Sequence, residues 1–135
     1  MTLTDAGPLV AIIDAGEEDH GRCIQALDRL TAPMLTSWPA FTEAMCLLGD
    51  AGGWAAQEAL WKLFERGDLV LVDMDETRVK RARALMAKYN DVPMDLVDAS
   101  LVALAEDLKI RRVFSLDGDF HVYRLDGRHR FDVVP

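Results

Sequence analysis

"DLVLVDMDETRVKRARALMAKY", residues 68–89, decides how the rest of the chain is read. Leu69 to Val72 form an unbroken apolar run bounded by Gly67 and by aspartates on both sides. A run this short and continuous predicts a strand, the clearest in the chain. Residues 76–89 then predict a helix that carries five of the chain's 15 Lys and Arg residues. Strand followed by helix is the unit of a parallel sheet, because a parallel neighbour can be reached only by a crossover.

The same unit recurs on either side. Upstream, "WAAQEALWKLFERG" (54–67) predicts an amphipathic helix ended by Gly67, preceded by a break at Gly52 and Gly53. Before it, "PMLTS" (33–37) predicts a strand, with Ser37 as N-cap and Pro39 early in the helix "AFTEAMCLLGD". "EEDHGRCIQALDRL" (17–30) predicts a helix with its acids first and a base late, as the helix dipole favours. "TLT" (2–4) and "GPLVAIIDA" (7–15) open the chain as strand and helix. Downstream, residues 94–108 predict a helix, "RRVFSLD" (111–117) a fourth strand and "RFDVVP" (130–135) a fifth. Alternation of this kind predicts a mostly parallel sheet with helices on both faces, in a single domain over residues 1–135.

Composition narrows the function. The chain has 135 residues and a formal net charge of −8. That argues against binding nucleic acid through a broad basic surface, since phosphate neutralisation dominates such affinity. It leaves an acidic surface covered by a basic partner, or carboxylates that hold a cation against a phosphate. Cys23 and Cys46 share no short ligand spacing and make no disulfide framework. No leader of the secretory type and no membrane-length apolar run is present, so a soluble cytoplasmic protein is expected.

One helix contains an anomaly. In "MDLVDASLVALAED" (94–107), Met94, Val97, Leu101 and Leu104 mark one apolar face, and Asp98 falls inside that arc. In parallel sheets, sites gather where the C-terminal ends of strands open into loops. That rule selects Asp5 after the first strand, and Asp117 with Asp119 after the fourth. Glu43 in the helix after the second strand and Asp98 early in its own helix complete the set. Crowded carboxylates raise one another's pKa unless a cation holds them, and an all-oxygen donor set favours Mg²⁺ or Mn²⁺ over zinc. Each acid also has a plain alternative. Asp95 can cap the helix that carries Asp98; Asp5 or Gly7 can cap the first helix. Glu43 can be a solvated helix residue, and Asp117 and Asp119 can be turn residues around Gly118.

"LTDAGPLVAIID", "TEAMCLL", "MDLVDASLVALAE" and "FSLDGDF", in this order, resemble the PIN-domain family, and within it the VapC-type toxin ribonucleases. The resemblance implies a three-layer α/β/α sandwich and an Mg²⁺- or Mn²⁺-dependent endoribonuclease. The family's acidic quartet maps onto Asp5, Glu43, Asp98 and Asp117. Asp5, Asp98 and Asp117 would hold a metal, with Glu43 a further ligand or a base acting through water. Asp119 matches a frequent acid farther from the centre, Asp95 a position that supports the ligands, and Ser115 a Thr or Ser site that orients one. A homodimer and a small antitoxin partner are also implied. RNA contacts would fall to the basic stretches 78–88 and 124–130.

His20, His121 and His129 lack partners at ligand spacing and read as surface or packing residues. Trp38, Trp54 and Trp61 read as core or dimer contacts. Two other functions compete. A receiver-like Mg²⁺-binding phospho-acceptor domain would need paired acids after the first strand and a late Lys, where this chain has Asp5 alone and Asp117. A non-enzymatic acidic module binding a basic partner would need no metal at all.

Overall fold

The computed structural model describes residues 1–135. Its central sheet has five strands: β1 (Thr2–Thr4), β2 (Met34–Ser37), β3 (Leu69–Val72), β4 (Arg112–Phe114) and a C-terminal strand, Asp132–Val134. Their order is β3-β2-β1-β4 and then the C-terminal strand, and every pairing is parallel. Helices α1 (Ala6–Ile13), α2 (His20–Ala26) and α3 (Trp38–Glu65) cover one face, and α4 (Glu76–Lys88) and α5 (Leu96–Leu108) the other. This is the three-layer α/β/α arrangement that the alternation of elements predicts.

The period of two along each strand divides the core. Leu3, Leu35 and Val113 pack with Ala82, Leu85 and Leu101 of α4 and α5. Met34 and Phe114, each one residue away from a member of that set, pack with Leu9, Phe41 and Leu60 of α1 and α3. Adjacent strand residues must point to opposite faces, so a strand with both faces covered reads as a continuous apolar run. α5 lies deepest. Every residue from Asp98 to Ala105 is buried, and Ala99, Ser100, Ala103 and Ala105 are small enough to allow close approach of its neighbours.

Two elements depart from the sequence reading, and a third matches it. The helix expected over 17–30 begins only at His20 and ends at Ala26, followed by a 3-10 turn, Leu27–Arg29. Its acidic start, Glu17 to Asp19, instead makes the turns that lead into it. The break expected at Gly52 and Gly53 is present: α3 is two helical segments joined by a kink at Gly53, whose φ of 62° and ψ of −153° are accessible essentially to glycine alone. Residues 124–130 fold into a small antiparallel hairpin of β5 (Arg124–Leu125) and β6 (His129–Arg130), making the C-terminal strand β7. Arg and His among the hairpin residues masked the signal, because neither is a strong strand former.

The tryptophans divide. Trp61 is half-buried and edge-on to Phe41, whereas Trp38 and Trp54 are 44% and 64% exposed. Neither of the latter is a core residue. His20 Nδ1 donates to the Ala11 carbonyl over 2.6 Å, and both cysteines are free. No helix is long and apolar enough to cross a membrane.

Candidate metal centre

Sheet register builds the site. Leu3 aligns with Val113 and Thr4 with Phe114, so the next residues, Asp5 and Ser115, leave adjacent strands side by side. The backbone continues the pairing past the strand ends, with Asp5 N–H donating to the Phe114 carbonyl at 2.9 Å. Asp5 then serves as N-cap of α1: its Oδ1 accepts from Ala6 N–H at 2.7 Å and its Oδ2 from the Ser115 hydroxyl at 2.9 Å. Of the two cap candidates, Asp5 and Gly7, the chain uses Asp5.

Ser115 has a second task. Its Oγ accepts from Asp117 N–H at 3.0 Å, which turns the chain so that Asp117 heads a short 3-10 turn (Gly118–His121). Asp117 Oδ1 accepts from Asp119 N–H at 2.9 Å. The expectation that Ser115 orients an acid therefore corresponds to a direct bond to Asp5 and a turn that sets Asp117.

Above this edge stands the start of α5. Asp95 is its N-cap and accepts from Asp98 N–H at 2.8 Å. One turn further in, Asp98 is 5% exposed, and its Oδ2 accepts from the Tyr123 hydroxyl at 2.8 Å. The first turns of α3 and α5 are tied by the buried Ser37 and Ser100 hydroxyls, 2.6 Å apart. Glu43, on the α3 side of this junction, is exposed at the mouth of the site.

Asp98, Asp117 and Asp119 each offer a carboxylate oxygen within 4.8 Å of the others'. Asp119, expected to lie farther from the centre, thus groups with Asp98 and Asp117. Asp5 is joined to the group through Ser115 and lies close enough for its charge to be felt at Asp98. Asp5 and Asp98 are both buried, and no Lys, Arg or His pairs with any of Asp5, Glu43, Asp95, Asp98, Asp117 or Asp119.

The electrostatics follow from that arrangement. Burial pushes the Asp5 carboxyl up to about 6, against the pull of its two hydrogen bonds. Burial pushes Asp98 up to about 8; its bond from Tyr123 opposes this, while Asp95, Asp5 and Asp117 add to it. Glu43 is raised, first by partial burial and then by Asp95. Tyr123 is raised well above the usual phenol range by burial and by its bond to Asp98, so it stays a donor. Acids held this way are poor places for bare negative charge and good places for a cation.

Tyr123 is the residue that sequence reading passed over. It stands outside every acidic motif, and a lone Tyr in "HVYRLD" carries no periodic or spacing signal. The basic stretches fare differently from expectation. On α4, Arg78 pairs with Asp107 at 2.8 Å and Arg81 with Glu106 at 2.7 Å, both partners on α5. In the hairpin, Arg124 is spent on the carbonyls of His121, Val122 and Tyr123. Arg83, Lys88, Arg128 and Arg130 remain exposed.

A parallel α/β/α sandwich with a cluster of carboxylates at the C-terminal ends of β1 and β4 defines a class: α/β proteins that gather acids at one sheet edge. Within it the family is specific. Residues 2–125 match the PIN domain, and the chain belongs to the PIN-domain family. Among curated proteins it is 27% identical over 134 residues to Ribonuclease VapC26 of Mycobacterium tuberculosis (strain ATCC 25618 / H37Rv), covering 98% of this chain and 99% of that protein. The fold is similar to the crystal structure of Mycobacterium tuberculosis VapC20, described as a Sarcin-Ricin loop cleaving toxin, at a TM-score of 0.83 and 19% identity over 90% of this chain and 94% of that one. A toxin-antitoxin complex from Klebsiella pneumoniae matches at a TM-score of 0.70 and 17% identity, covering 89% and 90%.

Proposed function

We propose that this protein is a divalent-metal-dependent endoribonuclease and the toxin of a toxin–antitoxin pair. One observation carries the reading: Asp98, buried with Asp5 behind it and Asp117 and Asp119 beside it, has carboxylate neighbours and no cationic side chain. The donor set fits a hard divalent ion. All donors are oxygens, three converge within 4.8 Å, and His20, His121 and His129 are not among the converging groups. Asp98, Asp117 and Asp119 would hold the ion, with Asp5 and Glu43 as the further acids of the site. Mg²⁺ or Mn²⁺ would supply charge neutralisation at the phosphate and lower the pKa of water in the site.

The chain's own groups divide the remaining work. Ser115 and Ala6 N–H fix both oxygens of Asp5, so this carboxylate cannot rotate. Asp95, spent on its cap, adds negative charge beside Glu43 and keeps the Glu43 carboxylate a better proton acceptor than an ordinary one. Glu43 would take the proton from a water that attacks phosphorus, and the P–O bond opposite would break as the leaving oxygen takes a proton from a solvent water. Exposed Arg83, Lys88, Arg128 and Arg130 are the basic side chains free to meet RNA phosphates.

The curated relative is named a ribonuclease, one neighbour a Sarcin-Ricin loop cleaving toxin, and another a toxin–antitoxin complex; these support the substrate class and a small antitoxin partner. Residues 1–135 would act as one domain, and Trp38, Leu47 and Trp54, all exposed on α3, support a homodimer. The test is cleavage of a mixed pool of folded RNAs with Mn²⁺ or Mg²⁺ and with chelator, alongside Asp5→Asn. Cleavage that requires metal and disappears in the variant is expected. A folded, partner-free protein that binds no metal and cleaves no RNA would overturn the reading in favour of an acidic module for a basic partner.

A further inference from the structure

Tyr123 is fully buried, and its hydroxyl donates over 2.8 Å to Oδ2 of Asp98. Its ring is clamped edge-on between Tyr89, at 5.2 Å between centroids, and Phe120, at 5.3 Å. Phe120 in turn packs edge-on to Phe131. Phe120 also ends the 3-10 turn's apolar side, two residues after Gly118, so the turn that carries Asp117 and Asp119 and the ring that reaches Asp98 belong to one packed unit. Tyr89 anchors the other side, its hydroxyl accepting from Arg124 N–H at 3.1 Å.

We propose that Tyr123 is a positioning residue for the metal centre: by holding Oδ2 of Asp98, its hydroxyl fixes the orientation of that carboxylate beside Asp117 and Asp119. The proposal rests on the metal-dependent reading above. A carboxylate on the first turn of a helix rotates freely about its terminal torsion unless something holds it. Here Oδ2 is held by a hydroxyl on a ring that two edge-on aromatic contacts keep from moving. Partners of this kind, which orient a ligand without touching the ion, commonly change metal affinity 10- to 100-fold when removed. Ser115 does the same for Asp5 from the opposite side. Two buried hydroxyls, from sequence positions either side of Asp117, thus set two carboxylates around it.

The alternative is mutual satisfaction alone, in which Tyr123 and Asp98 merely spare each other an unpaired buried group. Mn²⁺ binding to the purified protein, followed by the EPR signal of free Mn²⁺, separates the two. Tyr123→Phe should weaken Mn²⁺ binding at least 10-fold while Asp98→Asn abolishes it. Unchanged affinity in Tyr123→Phe, within twofold, with Asp98→Asn still inactive in binding, overturns the proposal and leaves the metal centre standing. Absence of Mn²⁺ binding by the unaltered protein overturns both.

A second measurement serves if Tyr123→Phe does not fold. The chain has two tyrosines, so protein labelled with 3-fluorotyrosine gives two ¹⁹F signals, assigned with Tyr89→Phe. Titration with Mg²⁺ should move the Tyr123 signal with the same midpoint as metal binding. A Tyr123 signal that stays in place at saturating Mg²⁺ would also overturn the proposal.

Discussion

Asp98→Asn should make the metal-free protein more stable at alkaline pH while destroying its metal site. The Asp98 carboxyl titrates at about 8 in the fold against an ordinary 3.8. The folded state therefore binds its proton more tightly than the unfolded chain does. Stability is highest below about pH 4 for this group, falls as pH rises toward 8, and is lowest beyond. Roughly four pH units at ~1.4 kcal/mol each set a ceiling of about 6 kcal/mol. Water drawn in around an ionised carboxylate reduces that penalty, leaving about 2–3 kcal/mol at pH 8.5. Asn removes the charge yet still offers a carbonyl to the Tyr123 hydroxyl, which is 2.8 Å from Oδ2. At roughly 4 °C per kcal/mol for a domain of this size, the variant should melt some ~8–12 °C higher at pH 8.5 in chelator. At pH 4 the two should melt together, since the unaltered carboxyl is then protonated. Thermal melts at both pH values, with chelator and with Mn²⁺, read all four states. Mn²⁺ should raise the melting temperature of the unaltered protein only. A variant that melts below the unaltered protein at pH 8.5 in chelator would refute the reasoning, because it would mean that the charged form is already stabilised without a cation.

Other substitutions test separate parts of the structure. Asp5→Asn should show the same sign over a lower window, with its advantage in chelator developing between pH 4 and about 6, where the buried carboxyl titrates; melts across that range check it. Glu106→Gln breaks a bidentate pair with Arg81, at 2.7 and 2.9 Å, on a nearly buried acid, and should lower stability by about 1–2 kcal/mol in urea unfolding. Gly53→Ala forces a Cβ onto a backbone at φ 62°, ψ −153° and should cost about 1–3 kcal/mol. Gly21→Ala, in open space on α2, should instead stabilise by about 0.5–1 kcal/mol in the same assay.

Much of the fold is legible in residue order. Runs such as Leu69 to Val72, followed by helical periodicity, specify strand and crossover, and the all-parallel sheet follows from the geometry of crossing over. The acids are legible too, because strand ends are where a parallel sheet opens. Elements set by tertiary contact are less so. The hairpin over residues 124–130 is hidden by polar side chains, and the helix expected over 17–30 shortens to His20–Ala26 and a 3-10 turn.

Composition and spacing determine by themselves that this chain is an acidic α/β protein with carboxylates on several separate elements, since those properties depend only on local order. Only the tertiary structure decides which oxygens meet. Register between β1 and β4 brings Ser115 to Asp5, and the 3-10 turn brings Asp119 to Asp117. The packing of α5 brings Tyr123, 25 residues from Asp98, to its carboxylate. Hydrogen bonds are satisfied over about 3 Å, and no pattern in sequence spacing encodes a distance that the folding of the whole domain creates.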